Sequence, residues 1–293
     1  MEFGPFLFLA VLEGTVTAFV LALTALGLSL VFGVMRIVNI AHGEFFMLGA
    51  VFAWWSVWAV GDLPLLGFIV ALIIAPMVVG AIAVASDWAI LRRIDYNPES
   101  TIVATIGLLY IIQQAVLTLY GPDPRPVEAP VYFRIDFPWF GYSGYKLIVC
   151  LLSALLILAS WIALSRTKLG LYMQATQLNE EMAQAFGVPV RRIYALVFGI
   201  GAMFAAVAGI LIVPIRQADY LMGLEPLLLS FIVVIIGGLG NLKGTLLAAF
   251  VIGLTDGVIS VMFHPTLAKI IATLLVALVL VVRPGGLFGT EES

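Results

Sequence analysis

Two carboxylates stand where an apolar chain tolerates them poorly. Asp256 lies in Gly253-Leu254-Thr255-Asp256-Gly257, near the middle of a long apolar run, and Asp87 lies near the end of another. An acid in hydrocarbon costs at least about 2.5 kcal/mol, so it faces a bundle interior or a water path. Asp256 reads either as a pathway group or as a protonated acid in an interhelical hydrogen bond. Asp87, close to Arg92 and Arg93, reads as a side chain snorkelling to an interface. A second polar interruption, Met35-Arg36-Ile37-Val38-Asn39-Ile40-Ala41-His42-Gly43-Glu44, separates two apolar runs. Asn39 can cap the helix that follows by accepting from a freed backbone N–H. Glu44 in that helix's first turn would complement its dipole. His42 and Glu44, two residues apart, point about 200° away from each other on a helix, so they form neither a metal site nor an acid–base pair. The segment is either a polar bend at the mouth of a bundle or part of a gate. Asn39, His42, Glu44 and Asp256 are the candidate substrate-pathway residues.

Catalytic constellations are missing from the sequence. No Ser–Lys pair, clustered His/Asp/Glu set or metal-ligand spacing occurs, and neither a metal nor a cofactor is expected. The single cysteine, Cys150, sits in a Leu-rich run and has no intramolecular disulfide partner, so its expected role is packing. The nearest approach to a phosphate-cradling loop is Gly240-Asn241-Leu242-Lys243-Gly244-Thr245, where the lysine precedes the glycine and is out of register. The chain is therefore not expected to bind ATP itself.

The elements that carry these residues follow from composition. Apolar residues make up 63% of the 293 and charged residues only 11%, with a mean hydropathy of +1.16. A soluble domain has roughly 25% charged residues, so the surplus apolar surface must face lipid. A closed β-barrel would alternate apolar and polar residues, whereas runs such as Leu151 to Leu158 and Ile270 to Val282 are continuous. The expected fold is an all-α polytopic bundle of eight or nine spans, at about 20 residues per crossing. They fall near 14–34, 43–60, 65–91, 101–120, 145–164, 193–213, 244–263 and 267–282, with a short segment at 226–236. Met1-Glu2-Phe3-Gly4-Pro5 lacks the basic start of a signal peptide, so the first apolar stretch is expected to be kept as a span. A proline-rich loop covers 121–144 and a polar segment covers 165–192. Placing 165–192 in the cytoplasm puts Arg36, Arg92, Arg93, Arg166, Lys168, Arg191, Arg192, Lys243 and Arg283 there, nine of the 14 Lys and Arg residues. The N-terminus and the proline-rich loop then lie outside, and the C-terminal tail inside.

The short segment at 226–236 is too brief to cross, and it ends in Gly237-Gly238-Leu239-Gly240. It is either a turn between spans or a broken or re-entrant helix near 226–240, in which case Gly237, Gly238 and Gly240 are candidate pore-wall glycines. Small residues recur at helical spacing in Ala25, Ser29 and Gly33, in Gly201, Ala205 and Gly209, and in Gly253 and Gly257, as close helix packing in lipid requires. No internal sequence repeat is evident. Within 165–192, Asn179 suits an N-cap, Glu180 and Glu181 the first helical turn, Gly187 a left-handed C′ position, and Pro189 blocks continuation. A two-turn helix at 180–186 results, too short to persist in water unless docked on its own bundle or on a partner.

That acid–Ala helix, with its Glu180, Glu181, Ala183, Gly187 and Pro189, resembles the coupling loop of ABC importer permeases. The stretch Ala25-Leu26-Gly27-Leu28-Ser29-Leu30-Val31-Phe32-Gly33-Val34-Met35-Arg36-Ile37-Val38-Asn39-Ile40-Ala41-His42-Gly43-Glu44 resembles the opening of the branched-chain amino acid permeases, in particular their LivH-like subunits. Val281-Val282-Arg283-Pro284-Gly285-Gly286-Leu287-Phe288-Gly289 is similar to that family's C-terminal signature, and 237–244 to another of its stretches. One departure is Asn179-Glu180-Glu181-Met182, where relatives more often carry an Asp-Pro or Ala-Ala step. The resemblance implies one permease domain over 1–293, with an ATPase-coupling loop at about 165–192 that includes Asn179. It implies a paralogous second permease subunit, two cytoplasmic ABC ATPase subunits and a periplasmic or extracellular substrate-binding protein, with no nucleic acid. The implied function is ATP-driven uptake of Leu, Ile and Val across a bacterial cytoplasmic (inner) membrane. Other amino acids, urea or short amides are alternative cargoes, and an ion-coupled secondary transporter is the competing class.

Overall fold

The computed structural model describes residues 3–283 and Gly286. Its helices are α1 (Phe3–Met35), α2 (His42–Val60), α3 (Pro64–Ala89), α4 (Pro98–Tyr120), α5 (Gly144–Arg166), α6 (Lys168–Leu178), α7 (Glu180–Ala185), α8 (Val190–Ile212), α9 (Leu224–Gly237), α10 (Leu242–Met262) and α11 (Pro265–Val282). Among the described residues eight helices are long and apolar enough to cross a membrane, and α9, with 14 residues, is a ninth, shorter apolar helix. The chain is a polytopic α-helical membrane protein. Two pairs of short antiparallel strands, β1 (Arg125–Pro126) with β4 (Gln217–Ala218) and β2 (Arg134–Asp136) with β3 (Gly141–Ser143), fold the proline-rich loop over one end.

Helix α1 starts well before position 14, the expected beginning of the first span. Glu13, which marks the polar break in the sequence, is paired with Lys146 of α5 and does not interrupt the helix. The other expected spans agree with the observed helices to within a few residues. The polar segment 165–192 holds more order than its sequence suggests. Helix α6 precedes α7, and Thr167 caps it by accepting from the Gly170 N–H.

Helices α1, α2 and α8 cross at the centre, α3 covers α2 and α8, and α10 lies along α1. Without water to drive helices together, backbones must come close enough for dispersion contacts. The small residues do this. A methyl group added at Gly49 of α2 would collide with the backbone of Ala206 in α8, and one at Gly209 with the carbonyl of Phe46. On the other flank, Gly253 and Gly257 of α10 rest on the backbone of Ala18 and Gly14. Further along the same α1–α10 contact, the buried hydroxyls of Ser29 and Thr245 are 2.9 Å apart.

The ends of the bundle sort by charge. Arg36 at the end of α1 donates to the Gln177 carbonyl, Arg191 pairs with Asp95, and Gln177 donates to the Gly240 carbonyl. The loops after α1, α3, α5 and α9 thus share one end, the end that carries most of the basic residues and is expected on that ground to be cytoplasmic. The opposite end is tied by the Tyr120 hydroxyl donating to the Ala218 carbonyl and by Arg125 stacked over Trp54 and Tyr120.

The packing account sets a paired test. Gly49→Ala should destabilise the detergent-solubilised protein by about 1–3 kcal/mol, the usual cost of overpacking. Gly107→Ala in α4, where an added methyl meets nothing within 4 Å, should be neutral. Thermal unfolding followed by size-exclusion recovery checks this, and equal losses for the two variants would contradict it.

Candidate functional site

Where α1 ends, the chain reverses into the bundle. Arg36 takes a left-handed conformation (φ 55°), and residues 37–41 run back along the helices. The His42 Nε2–H donates to the Thr24 carbonyl at 2.9 Å. Thr24 precedes Met35 by eleven positions, about 16 Å along the helix axis. Helix α2 therefore begins near mid-depth and not at the cytoplasmic surface. Two of its backbone donors are held inside the protein, the Ile40 N–H donating to Thr105 Oγ1 and the Ala41 N–H to Asn39 Oδ1. Asn39 is buried and its side chain holds this approach. It is not the helix cap, which is Ala41.

Helix α9 repeats the device from the other side. The chain leaves α8 at the outer end, pairs β4 with β1, and turns inward to start α9 at Leu224. Gly223 and Gly43 then meet backbone to backbone, since a methyl group added to either would strike the other's carbonyl. The first turns of the two broken helices face each other, and each carries one acid, Glu44 and Glu225. Carboxylates in these positions offset the partial positive charge of helix starts brought together in a poorly screened environment. His42 and Glu44 are fully buried, and His42 Nδ1 and Glu44 Oε2 have no hydrogen-bond partner among the described residues.

Asp256 lies apart from Asn39, His42 and Glu44. Its electrostatic neighbours are Glu225, Arg216 and Lys269. Glu225 bridges Arg216 at 3.2 Å and Lys269 at 3.3 Å. These four residues make a mixed cluster of two acids and two bases, drawn from α9, α10, α11 and the segment after α8. About half of the Arg216 and Lys269 side-chain surface is open, 51% and 53%. Charges this open do not face hydrocarbon; near the ends of α8 and α11 they meet water, lipid headgroups or another protein. A small cavity of about 40 Å3 runs inward from Arg216 and Glu225, lined by Thr24, Phe46, Ile212 and Leu229.

The sequence alone did not single out Arg216, Glu225 or Lys269. Arg216 and Lys269 look like ordinary outer-loop charges. Glu225 opens an apolar segment too short to cross, and that was the available signal. Gly237, Gly238 and Gly240 sit at the cytoplasmic end, away from mid-depth. Gly238 and Gly240 take φ values of 92° and 76°, and Gly240 rests on Gly33 and the Gln177 amide. They make the tight turn from α9 to α10, beside a cleft of about 400 Å3 lined by Trp161, Gln174, Gln177 and Lys243. The break at membrane depth is at the other end of α9.

On the cytoplasmic end α7 is pinned as its sequence suggests. Asn179 Oδ1 accepts from the Met182 N–H at 2.9 Å, Gly187 has φ 84°, and Pro189 is the N-cap residue of α8. The helix ends at Ala185 and not 186, and Phe186 is its C-cap. Ala183 is buried against the bundle, while Leu178 and Phe186 are each 81% exposed and Met182 is more than half exposed. Glu180 and Glu181 flank this apolar surface and are solvent-facing. Together they form an exposed apolar patch at the same end of the bundle as Arg36 and Arg191, of the kind that marks a protein contact.

A family model described as the permease component of the branched-chain amino acid transport system matches residues 10–281. The chain is similar to the high-affinity branched-chain amino acid transport system permease protein LivH of Escherichia coli (strain K12), with 27% identity across 92% of each chain. It is also similar to the probable branched-chain amino acid transport permease protein LivH of Methanocaldococcus jannaschii, with 24% identity over 96% of this chain and 92% of that one. The galactofuranose transporter permease protein YtfT of Escherichia coli (strain K12) is 30% identical over 50% of this chain and 47% of its own. No solved structure matches. Of the C-terminal signature, residues 284, 285 and 287–289 lie outside the described residues. With nearly the whole chain covered, the protein belongs to the branched-chain amino acid transport system permease family.

Proposed function

We propose that this protein is one of two permease subunits in an ATP-driven, binding-protein-dependent importer of branched-chain amino acids in a bacterial cytoplasmic membrane. Residues 1–293 act as one permease domain, and residues 165–192 couple it to ATPase subunits. The observation that carries this reading is the α6–α7 patch. Leu178, Met182 and Phe186 expose apolar surface to the cytoplasm on a short helix capped at both ends. A rigid knob of this kind suits insertion into a groove on a soluble partner, and closure of that partner would push on α8 through Ala183 and Pro189. The family relationship supports the substrate class, and a binding protein outside would deliver the ligand.

The Arg216–Glu225–Asp256–Lys269 cluster is the candidate lining of the path. Its paired charges suit the ammonium and carboxylate of an α-amino acid better than they suit a neutral amide. His42, Glu44 and Asn39 would act one layer deeper, holding the backbones whose separation opens or closes the route. Rearrangement would then be a shift between two packings driven from the cytoplasmic end.

Two outcomes are expected. Met182→Asp combined with Phe186→Asp should reduce co-purification of the ATPase subunits by about thirtyfold, the effect of losing roughly 2 kcal/mol of apolar contact. The exposed positions should leave the permease itself folded, and unchanged co-purification would refute the coupling role. In vesicles containing ATP and lacking an ion gradient, wild-type complex should take up leucine. Asp256→Asn and Glu225→Gln should lower that uptake about tenfold or more while the complex stays assembled, taking the loss of one charged hydrogen bond as the scale. Uptake that needs an ion gradient and ignores ATP would overturn the importer assignment.

A further inference from the structure

At the cytoplasmic end, on the side of α3 and α8 away from the charged cluster, lies a separate cavity of about 560 Å3. Its walls are Ala81, Val84, Ala85, Trp88 and Ala195, with Asp87, Arg92, Arg191 and Arg192 at the cytoplasmic mouth. Three features make it a built site. The small side chains of α3 and α8 leave an apolar trough along the membrane side. Trp88, 63% exposed, stands at its edge, the depth at which indole rings anchor to a bilayer interface. Asp87 is 1% exposed, and its Oδ1 has no hydrogen-bond partner among the described residues. The other oxygen has only a long contact, 3.5 Å from the Tyr96 hydroxyl.

The charges at the mouth do not cancel. Arg191 is held by Asp95 at 3.4 Å, and Asp87 offsets one of the two remaining guanidiniums. One positive charge is left over, facing a cavity whose buried carboxylate oxygen needs a hydrogen-bond donor. A phosphodiester supplies the anion, a headgroup hydroxyl supplies the donor, and an acyl chain fills the trough. We infer that this cavity binds an anionic glycerophospholipid of the phosphatidylglycerol type, with its phosphate on Arg92 and Arg192, its glycerol hydroxyl on Asp87 and its acyl chain between α3 and α8. Basic recesses between helices on the cytoplasmic side are suited to such headgroups. The site is separate from the Arg216–Asp256 cluster and shares no residue with the apolar patch on α6 and α7, although Arg191 and Arg192 are the last residues of the 165–192 segment assigned to coupling.

Native mass spectrometry of the delipidated full-length chain tests this by titration with phosphatidylglycerol, phosphatidylcholine or phosphatidic acid. Phosphatidylglycerol should be retained in preference to phosphatidylcholine. Arg92→Gln with Arg192→Gln should weaken its retention about twenty-five-fold, the product of roughly fivefold for each arginine at a membrane surface. Arg92→Lys with Arg192→Lys should preserve most of it. Asp87→Asn should reduce the preference for phosphatidylglycerol over phosphatidic acid, which has no headgroup hydroxyl. Equal retention of phosphatidylglycerol and phosphatidylcholine by the wild-type chain would overturn the inference without any variant. So would undiminished retention in the folded glutamine variant. Displacement of phosphatidylglycerol by inorganic phosphate alone would assign the recess to a free anion and overturn the lipid.

Discussion

The structure depends on one close approach, that of the Gly43 and Gly223 backbones near the middle of the bundle. Two helices start there with both glycines buried, so the freed N–H groups of each helix N-terminus need partners in the protein or in the water that reaches Glu225. Their first turns can sit so close only because neither position carries a side chain. Each start supplies an acid, Glu44 or Glu225, against the combined helix dipoles. The segment leading into α2 is tied down at its end, the Ile40 N–H by Thr105 and the Ala41 N–H by the Asn39 side chain. From this contact α2 runs outward and α9 runs toward the cytoplasm. The two broken elements together span the depth that an unbroken helix would otherwise fill.

That arrangement connects the two ends of the molecule. Helix α9 leads from the meeting point to Gly240, which rests on Gly33 and on Gln177 of α6. Helix α6 leads directly into α7 and the exposed apolar patch. A displacement imposed on the patch therefore has a short mechanical route, through α6 and the α9–α10 turn, to the half-helix that carries Glu225. The charged cluster is at the far end of the same half-helix. Close backbone packing makes this route stiff, since a bundle held by glycine contacts has little side-chain slack to absorb a push.

Much of this was legible in the sequence, and the reasons differ by feature. Long apolar runs announce spans because lipid leaves few alternatives, and Asn179, Gly187 and Pro189 announce the bounds of α7 because capping chemistry is local. The small-residue stripes fix which helix faces are close-packed, although not their partners. Gly253 and Gly257 gave no hint that Ala18 and Gly14 would receive them. The interruption at Met35 to Glu44 was visible, but its depth was not. A polar bend at a surface and a return to mid-depth have the same composition, and only the His42–Thr24 contact separates them. The charged cluster was the hardest to read, because Arg216, Glu225, Asp256 and Lys269 come from four elements and gather only when α9 is folded inward.

The depth of the two helix starts is the claim on which the rest stands, and an experimental density map of the protein in a lipid nanodisc measures it directly. The expected map has α2 beginning at His42 and α9 at Leu224 in the central slab of the bilayer, with the Gly43 and Gly223 backbones in contact. A map in which α2 begins at the cytoplasmic headgroups, or in which the two glycines are separated by a helix diameter of about 10 Å, would contradict the account.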